Sequence, residues 1–132
     1  SDQLAAFADG LDIVVSVLPL TTETTGIMNA GFFGMLADGA FIINGGRGPQ
    51  VDDDDLLAAL GSGKLGGAAL EGFAVEPLPQ DHPFWTHPKV RVWPHVAAQT
   101  NATSAAEQVA AAITAMMDGS EPANRVDWSR GY

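Results

Sequence analysis

A run of mostly β-branched residues near the amino terminus constrains the fold most. Leu11 to Leu18 reads LDIVVSVL and is stopped by Pro19, which has no N–H to donate to a strand ladder. A half-exposed strand alternates apolar and polar residues, whereas a continuous run is typical of a strand buried on both faces, as in a parallel sheet. The run therefore predicts an interior strand of a parallel sheet.

The rest of the chain alternates strand and helix patterns. Further strands are predicted at Ala40 to Ile43, Ala68 to Leu70 and Val90 to Trp93. Helices are predicted at Thr21 to Leu36, Val51 to Ser62 and Ala97 to Met117. This order with short connections predicts an α/β fold with right-handed crossovers, which is half of a doubly wound domain. We assign residues 1–118 to this domain and residues 119–132 to a carboxy-terminal tail.

Composition excludes several classes of partner. The net charge of −10 over 132 residues argues against binding to nucleic acid or to an anionic membrane surface. No apolar run approaches the roughly 18–20 residues that span a bilayer. The absence of cysteine excludes disulfides, thiol catalysis and thiolate metal sites, and it suits a cytoplasmic protein.

Charged side chains follow three of the four predicted strands, close to the point where each of these strands ends. Arg47 lies in a glycine-rich turn after the second strand, Glu71 and Glu76 follow the third, and His95 follows the fourth. Ligands of open parallel sheets bind outside these carboxyl ends, so the pattern predicts an active site there. Arg47 would bind a carboxylate and an adjacent carbonyl. His95 would exchange a proton with a carbonyl oxygen, and Glu76 would hold the imidazole.

Two other clusters invite a metal interpretation. The aspartates of Asp52 to Asp55 occupy the first turn of a predicted helix, where carboxylates cap free N–H groups, and consecutive helical residues point in different directions. His82 and His87 are separated by prolines and have no partner ligands nearby in sequence, which favours packing. We therefore predict no metal site, and we expect Phe84 and Trp85 to anchor their loop.

Five stretches of the chain together resemble the D-isomer-specific 2-hydroxyacid dehydrogenase family. They are DIVVSVLPLTTETTGIMN, GAFIINGGRG, DDLLAALGSGKLGGAALEGFAVEPLP, HPFWTHPKVRVWPHVAAQT and VDWSRGY. These stretches span nearly the whole chain in the family's order. The Glu-Pro-Leu-Pro segment and the Arg-Gly-Tyr ending are most similar to the family's bacterial glyoxylate/hydroxypyruvate reductases.

The resemblance implies a role for each matching residue. Arg47 would bind the substrate carboxylate, His95 would be the acid/base, and Glu76 would be its partner. The nicotinamide side would be lined by Leu18, Pro19, Asn44, Gly45, Arg47, Glu71, His95, Ala97 and Ala98. The implied cofactor is NADP or NAD, with NADP favoured by the subgroup. The implied substrate is a small 2-oxoacid such as glyoxylate or hydroxypyruvate. In the isolated chain the strand Leu11 to Leu18 would have an unpaired edge, which predicts a homodimer or a larger assembly, by edge pairing, by exchange of the helix Ala97 to Met117, or by both.

Departures from the family pattern raise further expectations. Glu71 stands where the family usually has aspartate, and Gly45-Gly46 replace bulkier residues, which predicts a looser arginine loop. No G-x-G-x-x-G turn follows a strand, and the resemblance places the family's first βαβ unit and substrate-binding segment before Ser1. The isolated chain is thus expected to be an inactive carboxy-terminal portion. The alternatives are a non-enzymatic oligomerisation domain and a nucleotide-sensing domain.

Overall fold

The computed structural model describes residues 3–129 and forms two compact units, the first reaching to Ala97 and the second beginning at Ala98. The first unit contains a four-stranded parallel sheet in the order β1-β2-β3-β4. The strands are β1 Ile13–Ser16, β2 Ala40–Asn44, β3 Leu65–Leu70 and β4 Val90–Val92. The prediction of a parallel α/β fold is confirmed, while the domain boundary after residue 118 stays a prediction.

An α-helix precedes each of the first three strands, and another follows the fourth. They are α1 Leu4–Ala8, α2 Ala30–Met35 and α3 Asp53–Ser62 in the first unit, and α4 Ala102–Met117 in the second. Helices α2 and α3 contact each other, and α3 packs on β3. The core of this unit contains fully buried Phe33, Ile42, Leu56, Leu65 and Phe84. The connection from β3 to β4 is a long loop with a short 3-10 helix, Pro83–Trp85.

The predicted helix from Thr21 to Leu36 is wrong over its first half, since α2 begins only at Ala30. Asn29 is extended, and its side chain caps α2 by accepting from the backbone N–H of Phe32 at 3.2 Å. The Thr24 hydroxyl donates to the backbone carbonyl of Pro19 at 2.7 Å. Such side-chain bonds to backbone compete with helix formation, and apolar spacing alone does not reveal them.

The expectation that the strand from Leu11 to Leu18 is buried on both faces is also wrong for the described chain. Burial alternates along β1 and β2, so that only one face of the sheet is covered. The uncovered face carries Ile13, Val15, Phe41 and Ile43, which are 39–59% exposed. Within the described residues β1 pairs with β2 alone, so its other edge is unpaired, as expected.

The second unit consists of α4 and the segment after it. Asn101 caps this helix by accepting from the N–H groups of Thr103 and Ser104, so the helix starts later than the predicted Ala97. No residue of α4 is buried, and Val109 and Met116 are among its exposed apolar side chains. None of the helices in residues 3–129 has the length and apolar character needed to cross a membrane.

Asp52 provides a test of the helix-capping interpretation, because its carboxylate accepts from the backbone N–H of Asp55 at 3.0 Å. Asp52→Ala should lower the free energy of unfolding by about 1 kcal/mol, since the first turn of α3 loses its cap. Asp52→Asn keeps the accepting oxygen, so it should lower the free energy of unfolding by only a few tenths of a kcal/mol. Urea denaturation of the three chains measures both effects, and equal losses in the two variants would contradict a capping role.

Candidate active site

The loops that follow the four strands contain the residues singled out by sequence. Because the strands are parallel, their carboxyl ends lie at the same edge of the sheet. Arg47 follows β2, Glu71 and Glu76 follow β3, and His95 follows β4. The topology therefore brings these loops to one edge, in the order that the sequence predicts.

Glu76 and His95 form a facing pair at this edge. The Glu76 Oε1 atom lies 3.7 Å from His95 Nδ1, an ion-pair distance slightly longer than a hydrogen bond, and both side chains are about half exposed. Oε1 also accepts from the backbone N–H of Phe73 at 2.9 Å, which fixes the carboxylate. A carboxylate at Nδ1 orients the imidazole and leaves Nε2 to exchange a proton with a ligand.

His95 adopts an uncommon backbone conformation, with φ of 56°. Non-glycine residues enter this left-handed region at an energetic cost, and such residues are concentrated at functional sites. The turn is supported by Glu71, whose Oε1 accepts from the backbone N–H of Val96 at 3.0 Å. Glu71, predicted to lie beside the nicotinamide, therefore also connects the end of β3 to the His95 turn.

Arg47 is exposed, and one N–H of its guanidinium donates to the carbonyl of Gly46 at 2.9 Å. Its backbone is held more firmly than its side chain. The backbone N–H donates to the Gln50 side chain at 3.1 Å, and the carbonyl accepts from the Asn44 side chain at 3.0 Å. A guanidinium carries several N–H donors in a planar fork, so an exposed arginine on a fixed loop is suited to bind a carboxylate.

The expectation that Gly45-Gly46 loosens the arginine loop is wrong. A Cβ at Gly46 would overlap the Gln50 side-chain oxygen and would lie 3.0 Å from the Leu18 carbonyl. A Cβ at Gly48 would overlap the backbone of Phe73. The glycines allow close approach of neighbouring backbones, and the loop is packed on both sides because of them.

Two buried amides stabilise this edge. Asn44 and Gln50 are fully buried, and Asn44 accepts from the N–H of Gly46 at 3.0 Å in addition to its bond to Arg47. Asn44 was predicted to line the nicotinamide, and its side chain bonds to the loop backbone instead of lying open at the edge. Gln50 was not predicted at all. Its bond to the Arg47 N–H is local, but the two carbonyls to which its Nε2 donates lie 31 and 32 positions earlier in the chain, and no local pattern points to them.

The other predicted cofactor residues lie in the connecting segments. Leu18 and Pro19 are exposed after β1, and Gly45 is partly buried after β2. Ala97 is the last residue of the first unit and Ala98 the first of the second, and both are exposed.

A cavity of about 500 Å³ adjoins the His95–Glu76 pair. Glu71, Glu76 and His95 contribute its polar groups, and most of its remaining lining is apolar, including Trp85 and Trp93. The Trp85 indole donates to a backbone carbonyl of its own loop at 2.8 Å, which confirms its predicted anchoring role. An apolar cavity with a few convergent polar groups is typical of small-molecule sites.

The two remaining histidines, His82 and His87, lie in the loop that borders this cavity. His82 Nδ1 accepts from the N–H of Phe84 at 3.3 Å, and the two rings pack edge to face with their centroids 4.5 Å apart. His82 Nε2 lies 3.6 Å from a carboxylate oxygen of Asp53. Burial raises the pKa of Asp53, and the facing His82 opposes that rise. The ring contact with Phe84 confirms the predicted packing role of His82, and His87 Nδ1 accepts from the backbone N–H of Lys89 at 3.2 Å.

Comparison with known proteins agrees with the fold of the chain. The family described as D-isomer specific 2-hydroxyacid dehydrogenase, NAD binding domain, matches residues 1–97. The glyoxylate/hydroxypyruvate reductase A of Serratia proteamaculans (strain 568) is 48% identical over the whole chain, and that of Citrobacter koseri is 43% identical. The chain spans 42% of the length of each of these relatives.

Solved structures of similar proteins share the fold. A D-isomer specific 2-hydroxyacid dehydrogenase from Xanthobacter autotrophicus Py2, in complex with NADPH and MES, is 44% identical with a TM-score of 0.94, over 99% of this chain and 54% of that one. The NADPH-dependent glyoxylate/hydroxypyruvate reductase of Sinorhizobium meliloti, in complex with NADP and sulfate, is 38% identical with a TM-score of 0.92, over all of this chain and 43% of that one. The chain therefore belongs to the D-isomer-specific 2-hydroxyacid dehydrogenase family.

Proposed function

We propose that this chain is the carboxy-terminal portion of a reductase that transfers hydride from NADPH or NADH to a small 2-oxoacid of the glyoxylate or hydroxypyruvate type. The observation that carries the proposal is the His95–Glu76 pair, held 3.7 Å apart at the sheet edge where ligands of such domains bind. Arg47 at the same edge supports it, because the substrate has a carboxylate that a guanidinium fork recognises.

The proposed reaction assigns one task to each of these side chains. Arg47 binds the substrate carboxylate and orients the adjacent carbonyl. His95 donates a proton to the carbonyl oxygen while hydride reaches the carbon, and it takes the proton back in the reverse direction. Glu76 stabilises the imidazolium and holds the ring in place. The bound nicotinamide supplies the hydride.

The residues at the edge fit the nicotinamide end of such a cofactor. Leu18 and Pro19 offer an exposed apolar surface beside the glycine turn of the arginine loop. Glu71 offers a carboxylate to a carboxamide N–H group. The similar proteins of Xanthobacter and Sinorhizobium were crystallised with NADPH and NADP, which favours NADP over NAD here.

A chimera tests the catalytic assignment, in which this chain replaces the matching carboxy-terminal 42% of the Serratia relative. His95→Ala should lower kcat by about 10²–10⁴-fold with a smaller change in NADPH affinity. Arg47→Lys should lower kcat/KM for glyoxylate by about tenfold, because a point charge cannot replace the fork.

Oxidation of NADPH by glyoxylate measures both changes, with His87→Ala as the histidine control that should keep kcat. Circular dichroism verifies that each protein is folded. A folded chimera that binds NADPH but reduces neither glyoxylate nor hydroxypyruvate would contradict the proposal, as would an Arg47→Lys variant with kcat/KM within twofold of the unsubstituted chimera.

Glu71→Asp separates the two roles proposed for Glu71, which are contact with the nicotinamide and support of the His95 turn. The affinity for NADPH should stay equal or rise, because aspartate is the usual residue there in the family that this chain resembles. The shorter side chain should release the Val96 N–H and loosen the His95 turn, so kcat should fall by about tenfold or less. NADPH titration and steady-state kinetics of the chimera measure the two quantities, and a tenfold loss of NADPH affinity would show that the longer side chain is required there.

We also propose that the chain self-associates, as the unpaired edge of β1 and its exposed apolar face suggest. Light scattering of the purified chain should show a dimer or a larger species. Val15→Lys, on that face, should weaken association, whereas Val126→Lys, at an exposed position of the second unit, should not. A clean monomer would contradict the proposal. If the purified chain associates but the chimera does not turn over glyoxylate, the alternative of a non-enzymatic oligomerisation domain would be favoured.

A further inference from the structure

We infer that Gln50 is a positioning residue that couples the segment after β1 to the arginine loop after β2. The role rests on the proposed function, because the first segment would contact the nicotinamide and the second would bind the substrate carboxylate. The evidence is a fully buried amide whose two ends bond to these two segments.

The nitrogen of the Gln50 amide bonds to the first segment. Nε2 donates to the carbonyl of Leu18 at 3.0 Å and to that of Pro19 at 3.0 Å. Pro19 has no N–H, and the chain here has left the sheet, so these carbonyls have no strand partner of the usual kind. The buried amide stabilises a bend that the sheet itself does not hold.

The oxygen of the same amide bonds to the arginine loop. Oε1 accepts from the backbone N–H of Arg47 at 3.1 Å, and the Ser16 hydroxyl lies 3.5 Å away as a second donor. A glutamine amide is planar and combines donor and acceptor, which glutamate and methionine do not. One side chain therefore fixes the separation between the Leu18–Pro19 carbonyls and the Arg47 backbone.

Gly46 completes the junction. Its Cα lies so close to the Gln50 amide that an added Cβ would overlap Oε1, and the same Cβ would lie 3.0 Å from the Leu18 carbonyl. Alanine at position 46 should therefore displace Gln50 without removing any of its polar groups. Gly61 provides the matched control, because a Cβ there meets no atom within 4 Å.

This junction sets the distance between the carboxylate anchor and the nicotinamide face. Hydride transfer requires the reacting atoms near van der Waals contact, and a misplacement of about 1 Å costs on the order of 10²-fold in rate. The Gln50 amide carries no charge and lies in the interior, so it acts on the reaction only through the two loops.

The first test measures the junction in the 132-residue chain itself. Amide hydrogen exchange of Arg47, followed by NMR, reports the bond to Oε1. Gln50→Met and Gly46→Ala should each raise this exchange rate by at least tenfold, whereas Gly61→Ala should not. Leu57→Ala, a partly buried contact of the core, controls for general destabilisation. If the amide of Arg47 exchanges at the same rate in Gln50→Met and in Leu57→Ala, the proposed coupling of the two segments through Gln50 would be overturned.

The second test measures the consequence for turnover in the chimera. Gln50→Met should lower kcat/KM for glyoxylate by about 10–100-fold, with part of the loss in kcat, while Leu57→Ala at a comparable Tm should keep both parameters within twofold. Gln50→Glu keeps the acceptor for Arg47 but faces two carbonyls with a carboxylate, so it should not rescue turnover. Full turnover in Gln50→Met would overturn the positioning role. A folded chimera that binds NADPH but shows no turnover would refute the proposed function, and the exchange rate of the Arg47 amide would still decide whether Gln50 couples the two segments.

Discussion

The hydrogen bonds of two buried amides at the carboxyl ends of the strands are the interactions on which the site depends. The loops beyond the last strand residues carry backbone groups that lie outside the ladder of the sheet, and ligands of open parallel sheets bind at this edge. Asn44 and Gln50 satisfy those groups from inside, with bonds of 3.0–3.1 Å to the loops after β1 and β2. Burying an amide without partners is costly, so these bonds keep both loops in a single arrangement.

The two halves of the edge are held by different means. The arginine loop is fixed by interior amides and glycine contacts, and its charged side chain stays exposed. The His95 turn is fixed from outside by carboxylates, with Glu71 on the N–H of Val96 and Glu76 beside the imidazole. The proposed reaction requires a rigid support for Arg47, which would bind the substrate carboxylate. It also requires that the His95–Glu76 pair be exposed and ionisable, so that it can transfer a proton.

How much the sequence predicts depends on the range of the interactions. The order of strand and helix patterns is enough to predict a parallel sheet. It also predicts that the loops of Arg47, Glu76 and His95 come together, because the carboxyl ends of parallel strands lie at the same edge of the sheet. The predicted start of α2 is wrong because the side chains of Asn29 and Thr24 bond to nearby backbone groups, which apolar periodicity does not reveal. Gln50 could not be found, since its function is defined by carbonyls 31 and 32 positions away.

The uncovered face of the sheet affects the stability of the domain, whereas the proposed catalytic groups are positioned by other interactions. Phe41 lies across Gly67 on that face, close enough that a Cβ at Gly67 would be 2.8 Å from its ring. This packing shields some apolar surface but leaves Ile13 and Val15 more than half exposed, so the sheet still gains free energy when another surface covers it. The groups proposed for catalysis, by contrast, are positioned by bonds among the loops at the carboxyl ends of the strands. Covering the face should therefore stabilise the domain without rearranging the His95–Glu76 pair.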